Sequence, residues 1–506
     1  MQDAQTINGD ILKKEEKKEK DKKKRGRPKK IKNKGGLVVF PEQLEEAKKI
    51  LKETGTLYAQ AINDNKASKK TKKYKLLWYG DSPTANTGFG NVSENVLEQL
   101  QNTGLFDITV LAIQYYDDPM VDLHKKDLLP YRIIAAGNNH ERDMFGRKKL
   151  LNLIMNEHFD IIITFQDLPN LITKNHGCKN SIRSAIDWAK GYFQKEIKWM
   201  VYTPVDGQMK NFELEPVEDA DLTAFYTRYG YFQAFNLLGK EIIKQCSNKK
   251  IQKLLIDEMT KKMCFIYHGT NTDDFYPIPR EELLEFRKEY FGIDPDTFLI
   301  INVNRNQPRK DMHKTIEAYA KFKQKNPDCK AMLYLHCRDI DVGGNLNEIV
   351  EAYGKPLGIK LTQNLDVIKG CSIETLNKIY NCADLYITTT MGEGWGLTVT
   401  EAMATKLLTI IPPHSSLIEI GDDSRTLFVN CNNTVCTHED FYRVRPVVNT
   451  DDLAMKIEMV YKSREKFKSV INNAYNWVTE ITWEAVGREW IARIKELLNE
   501  NTKRPL

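Results

Sequence analysis

Short apolar runs, each closed by turn residues and followed by an amphipathic stretch, recur in two successive series along this chain. That rhythm restricts the fold more than any other feature. The first series opens with "YKLLWYG" (Tyr74–Gly80), the loop "DSPTANTGFG" and the helical pattern "NVSENVLEQLQ". Strand-like runs "DITVLAIQ", "DIIITFQ" and "WMVYTP" follow, with helical stretches between several of them. After "IPREELLEFRKEYFG" the pattern restarts as "TFLIINVNRN", the amphipathic "MHKTIEAYAKFKQKN", and the strands "KAMLYLHC" and "DLYITTT". Strands alternating with helices indicate parallel βαβ units. The expected class is therefore α/β: two Rossmann-like, doubly wound domains facing each other across a cleft, at residues 74–275 and 276–470. Residues 471–506, including the amphipathic "NWVTEITWEAVGREWIARIKELLNE", are expected to be helical.

The 506 residues exceed what one core usually organises. Apolar residues make up 41% and charged residues 28%, and no apolar run approaches the roughly 20 residues that span a bilayer. The N-terminus lacks the basic-then-apolar layout of a secretory signal, so a cytoplasmic location and no transmembrane segment are expected. Nine cysteines without a C-x-x-C pair point to reduced thiols rather than a zinc site or disulfide framework. Charge is uneven. Residues 1–75 hold 23 Lys and Arg against 11 Asp and Glu, a net +12 that leaves −6 for the remainder of a +6 chain. Residues 1–73 thus read as a basic, mostly disordered extension with one short helix at Phe40–Thr54. Its "KRGRPKK" resembles an AT-hook core, and residues 13–34 suit weak, salt-sensitive contact with a polyanion, nucleic acid or an anionic membrane. Nuclear or membrane-surface association through this extension follows from that reading.

In open parallel sheets ligands sit beyond the carboxyl ends of strands, so the loops after strands carry the chemistry. "MGEGWGLTVTEAMA" places Gly392, Gly394 and Gly396 between a strand and a helix beginning near Leu397. Glycines let backbone N–H groups come close to a ligand, and a helix N-terminus favours an anion. Glu401 lies about one turn inside that helix and leans back toward its start. It suits two vicinal hydroxyls, as on a ribose, and Glu393 suits sugar hydroxyls. In "NVNRNQPRKDM", Arg305 and Lys310 flank a turn with Pro308 at the end of the second domain's first strand. Two cations there neutralise a diphosphate and stabilise it as a leaving group. A molecule with a diphosphate between hydroxylated rings, a nucleotide-sugar, fits both loops.

"GEGWGLTVTEAMA" resembles the E-x7-E region of the family 4 (group 1) glycosyltransferases, which have the GT-B fold. "NRNQPRK" is similar to their donor-phosphate loop. "FIYHGTNTDDFYP" resembles the segment closing their first domain, and "GDSPTANTGFG" their glycine-bearing acceptor-side loop. "IETLNKIYNCADLYI" resembles the helix and strand before the glutamate motif. The likeness runs over roughly residues 74–490, and it implies that the helices of residues 471–506 pack back on the first domain. It implies transfer of a hexose from a nucleotide-diphosphate sugar to an acceptor hydroxyl, with retention, and with no metal or other cofactor. It assigns Arg305, Lys310 and Glu393 to catalysis, and Glu401, Gly394, Trp395, Gly396, Leu397 and Thr398 to the donor. Gly88, Phe89 and Gly90 belong to the acceptor or phosphate loop in this scheme. Where the family has further glycines, this chain has "TKLLTII" and "HSSLIEI", with Lys406, Ser415, Ser416 and Glu419.

Asp206 in "VYTPVDGQ" and Asp167 in "FQDLP" are two further acids expected to face the cleft and meet the acceptor, although either also suits a turn that bonds its own backbone. His268 reads as a loop packer and Arg228 as a support for the cleft. The D-x-D pairs Asp219/Asp221, Asp294/Asp296 and Asp339/Asp341 lack a post-strand acidic pocket and read as chance. The acceptor, whether glycan, lipid or protein, is not legible. The rival reading is a catalytically degenerate GT-B scaffold with a nucleic-acid-binding tail; intact Arg305, Lys310, Glu393 and Glu401 favour the enzyme.

Overall fold

The computed structural model describes residues 73–115, 130–137, 143–353, 357–362 and 370–498. The basic extension, its helix at 40–54 and the polyanion contact at 13–34 lie outside the described residues.

The first sheet contains β1 (Tyr74–Asp81), β2 (Phe106–Ile113), β3 (Arg132–Ala135), β4 (Ile161–Phe165), β5 (Lys198–Thr203), β6 (Leu222–Phe225) and β7 (Met263–Phe265). The spatial order is β3-β2-β1-β4-β5-β6-β7, and every pair is parallel. The second sheet contains β8 (Phe298–Val303), β9 (Ala331–His336), β10 (Ile359–Leu361), β11 (Leu385–Ile387), β12 (Thr409–Ile411) and β13 (Leu427–Phe428). Its order, β10-β9-β8-β11-β12-β13, is again wholly parallel. In both sheets the winding reverses beside the first strand, between β1 and β4 and between β8 and β11. Loops leaving those strands diverge there and open a crevice. The central strands are apolar on both faces, from Leu76–Tyr79 in β1 to Leu299–Ile301 in β8, because helices cover both sides.

Helices that matter for the site are α1 (Gly88–Asn102), α2 (Arg228–Gln245), α3 (Lys249–Lys261), α4 (Met312–Lys325), α5 (Ile373–Cys382) and α6 (Leu397–Ala404). The C-terminal stretch is two helices, α7 (Lys468–Glu480) and α8 (Trp483–Leu498), and not one long one. The break at Ile481–Thr482 is a join between domains. Thr270 N–H donates to the Ile481 carbonyl at 2.8 Å, and Thr270 bridges Thr482 in parallel. Beyond it α8 crosses to the first domain. Trp490, fully buried, packs 5.9 Å from Trp78 of β1 and 4.6 Å from Tyr202 of β5, ring centre to ring centre. Gly487 is needed at the crossing, since a Cβ there would run into Gln99 of α1.

A strand pair that the sequence reading did not anticipate, β14 (Cys431–Val435) and β15 (Arg445–Val448), projects from the second domain as an antiparallel hairpin. Its tip touches the first domain. The Lys210 ammonium donates to the Tyr442 carbonyl at 2.9 Å, and the rings of Phe212 and Phe441 are 5.2 Å apart. Among the described residues no helix is long and apolar enough to cross a membrane.

Candidate functional site

The loop after β8 and the loop after β11 meet at the reversal point of the second sheet. Pro308–Lys310 form one 3-10 turn, with Pro308 in the first turn where its missing N–H costs nothing. That turn aims Arg309 and Lys310 at the glutamate loop. Lys310 is ion-paired with Glu393, and Arg309 Nη1 lies 3.2 Å from Glu393 Oε2 and donates to the Gly392 carbonyl at 2.6 Å. Both acid and base are nearly buried. Burial pushes the Glu393 carboxyl up, but Lys310 and Arg309 outweigh it and hold it below its ordinary range. Burial brings the Lys310 ammonium down to about 8, with Glu393 opposing.

Arg305 is not part of this cluster. Its guanidinium forks onto Asp341, at 2.7 Å and 3.2 Å, and its side chain is 59% exposed. It leaves the loop before the turn reverses it, where the short hairpin carrying Asp341 supplies a two-oxygen acceptor. Arg309 holds the place beside Glu393 in its stead. The signal for Arg309 was present in the sequence, as a cation next to Lys310 on the same tight turn.

The three glycines have different reasons to be there. A Cβ on Gly392 would clash with the Asp206 carbonyl, and one on Gly394 with Pro204, so both admit a first-domain loop and not open solvent. Gly396 alone has the positive φ, +125°, that disfavours a side chain, and it caps α6. Trp395 is packed rather than presented. Its ring is 3% exposed and lies 5.2 Å from Tyr267 and 5.6 Å from His268. The Glu393 N–H donates to Ser415 Oγ at 3.0 Å, and Ser416 donates to the Glu393 carbonyl at 3.0 Å. The two serines that replace expected glycines thus brace the glutamate loop.

Glu401 sits one turn into α6, where Tyr380 of α5 donates to it at 2.7 Å. Burial pushes its carboxyl up to about 7, against the Tyr380 hydrogen bond. Thr398 hydrogen-bonds the Tyr386 hydroxyl at 2.8 Å. Leu397, the first residue of α6, faces the first residue of α1. A Cβ on Gly88 would lie 3.7 Å from the Leu397 Cδ1. The N-termini of α1 and α6 therefore approach each other across the cleft. Thr87 caps α1, accepting from Gly90 N–H at 2.9 Å and donating to Asp81 at 2.9 Å. Gly90 is required by the turn itself, since a Cβ would meet the Ala85 carbonyl. Phe89 packs on Phe165, with ring centres 4.8 Å apart, and so belongs to the core edge rather than to a ligand surface.

Asp206 joins the two domains. Arg309 Nε lies 3.2 Å from its Oδ2, and Arg445 of β15 reaches its Oδ1 at 3.1 Å and its carbonyl at 2.7 Å. Burial raises the Asp206 carboxyl, but Arg309, Arg445 and Arg443 together pull it below its ordinary value. Arg443 pairs with Glu213 at 2.6 Å. Arg443 and Arg445, at alternate positions approaching and entering one strand, were passed over in the sequence; "YRVRP" has the period-2 spacing that puts both on one face. These contacts wall a cavity of about 590 Å³, into which Asp167, Asp206, Met209, Arg309 and Phe441 project. Asp167 is exposed at this cavity and its carboxylate forms no ion pair among the described residues.

Glu419 is a second tie between the domains. It accepts from the Arg228 and Tyr229 N–H groups at the start of α2, at 3.0 Å and 2.5 Å, and from the Tyr267 hydroxyl at 2.9 Å. His268 is buried among rings, its imidazole pulled down to about 3 by burial, and both ring nitrogens lack a hydrogen bond among the described residues.

Residues 285–477 match the family model described as "Glycosyl transferases group 1". A probable sucrose-phosphate synthase of Thermosipho melanesiensis is 26% identical over 245 residues, covering 47% of this chain and 48% of that protein. A trehalose synthase of Thermococcus litoralis is 31% identical over 117 residues, 23% of this chain and 28% of its own. The matches thus span half or less of these relatives. Among solved structures, Anabaena HepE in complex with UDP and glucose aligns over 84% of this chain and all of its own, with a TM-score of 0.58 at 12% identity. The sucrose-phosphate synthase of Thermosynechococcus elongatus aligns over 84% of this chain and 99% of its own, with a TM-score of 0.57 at 15% identity. The donor side of the chain thus carries a group 1 glycosyltransferase domain, and its two Rossmann-like domains have the GT-B arrangement of these solved structures.

Proposed function

We propose that the protein transfers a hexose from a nucleoside-diphosphate sugar to an acceptor hydroxyl, with retention and without a metal ion. The observation that carries this reading is the Arg309–Lys310–Glu393 cluster beside the Gly396-capped start of α6. Lys310 and Arg309 are held there by Glu393 and Asp206 beside a helix N-terminus, so an anion that displaces these two carboxylates meets both cations and the helix start, a setting suited to a diphosphate. On donor binding the phosphate oxygens replace Glu393 and Asp206 as partners of Lys310 and Arg309, which frees Glu393 to accept from the sugar. Glu401 takes the ribose hydroxyls. The leaving diphosphate is stabilised as its charge grows, and the acceptor is oriented from the cavity lined by Asp167 and Asp206. Retention and metal independence rest on the family resemblance. UDP and glucose in the HepE complex favour a nucleotide-sugar donor here too.

The test is a thermal-shift panel of nucleoside diphosphates and their sugars, followed by donor hydrolysis and transfer. One base is expected to stabilise the protein, and Lys310→Ala to abolish that shift. A chain that no nucleoside diphosphate stabilises, or a Lys310→Ala variant that is stabilised equally, overturns the proposal.

A further inference from the structure

The edge of the first domain carries a helical hairpin whose outer face is apolar and basic at once. α3 has no buried residue, although it is 13 residues long. Its inward line is Gln252, Ile256, Met259 and Thr260, each partly covered. Its outward line presents Ile251, Leu254 and Leu255, exposed by 47%, 62% and 43%. Positions i, i+3 and i+4 put these three on one stripe. Lys249, Lys250, Lys253 and Lys261 surround them, and only Asp257 and Glu258 oppose, the latter paired with Lys261 at 2.6 Å. The preceding α2 adds Phe232 and Ile243, exposed by 54% and 59%, on its own outward side. Residues 228–262 hold eight Lys and Arg against three Asp and Glu, a local net of +5 on a body that is otherwise acidic.

Isolated exposed leucines need no explanation, but several large apolar side chains ringed by lysines on a helix do. We propose that α3, with the outward side of α2, is an interfacial anchor that seats the first domain on an anionic lipid surface. Leucine and isoleucine enter the acyl boundary while lysine stems reach up to the headgroup phosphates. The net positive charge disfavours a neutral or basic apolar groove, and its spread over two helices suits the continuous negative plane that headgroups supply. This inference is independent of the donor site.

The experiment uses the full chain with vesicles of phosphatidylcholine alone and with about 30% phosphatidylglycerol, read by co-sedimentation. The wild-type protein is expected to sediment with the anionic vesicles and to remain in solution with neutral ones. The triple variant Ile251→Gln, Leu254→Gln, Leu255→Gln keeps every charge, including the basic extension, and is expected to bind roughly tenfold more weakly with an unchanged melting temperature. Reversing Lys249, Lys250 and Lys253 to Glu is expected to weaken binding comparably at low salt. Wild-type protein that ignores anionic vesicles, or a glutamine variant that binds as well as wild type, overturns the proposal. So does a marked drop in the variant's melting temperature, which would show that the stripe is packed within the full chain.

Discussion

Arg305 and Arg309 stand four residues apart on one loop, and only Arg309 meets Glu393. The pairing predicts unequal consequences. Lys310→Ala is expected to lower kcat on the order of 10²-fold, as loss of one preorganised charge at a leaving group does, and Arg309→Ala to act similarly. Arg305→Ala should cost only a few-fold, because the charge lost is largely in solvent. Steady-state kinetics of the three variants decides this, and an Arg305 effect equal to that of Lys310 would return the diphosphate to Arg305. The pH dependence belongs to the same scale. Glu401, with its carboxyl raised to about 7, is protonated below that pH and loses its ability to accept two hydroxyls. The KM for the donor should therefore rise as pH falls from 8 to 6, roughly tenfold per unit once well below 7, and Glu401→Gln should remove the dependence. Lys310, brought down to about 8 in the free protein, loses its proton above that value, so kcat/KM for the donor should decline on the alkaline side.

At the scale of elements, α6 is capped by Gly396, whose φ of +125° is open to glycine and costly for others. Gly396→Ala also crowds the Leu417 and Ile420 side chains, whose methyl carbons lie 3.1 Å and 3.3 Å from the added carbon. The variant should lose about 1–3 kcal/mol of stability and bind donor more weakly, measurable by urea denaturation and nucleotide titration. Much of this scale was legible beforehand. Apolar runs such as Leu76–Tyr79 and the stripe of α4 (Met312, Ile316, Tyr319, Phe322) reveal their elements because burial demands a period. The β14/β15 hairpin was not legible, since Asn432, Asn433 and Thr434 are exposed and carry no apolar alternation.

At the scale of the molecule, one apolar cluster runs from β1 through the second domain to α8, and specific crossings reinforce it. Trp490 docks α8 on β1 and β5, Glu419 caps α2 from the other domain, and Arg445 grips Asp206. Trp490→Ala should cost about 3–5 kcal/mol, seen as a lower urea midpoint. It should also weaken donor turnover if the two domains must close to act. A variant with wild-type stability would show that α8 contributes little to the join.

The sequence by itself determined the paired βαβ domains and the glutamate loop's place at a strand end. Periodicity and turn chemistry are local properties, and the motif's spacing survives folding. Which cation faces Glu393, why Gly392 and Gly394 lack side chains, and how Arg443 and Arg445 come to wall a cavity with Asp167 were decided only in three dimensions. Each depends on segments more than 80 residues apart meeting in space. Contacts of that kind are chosen by how two sheets and a hairpin pack against each other, and no local pattern in the chain records that choice.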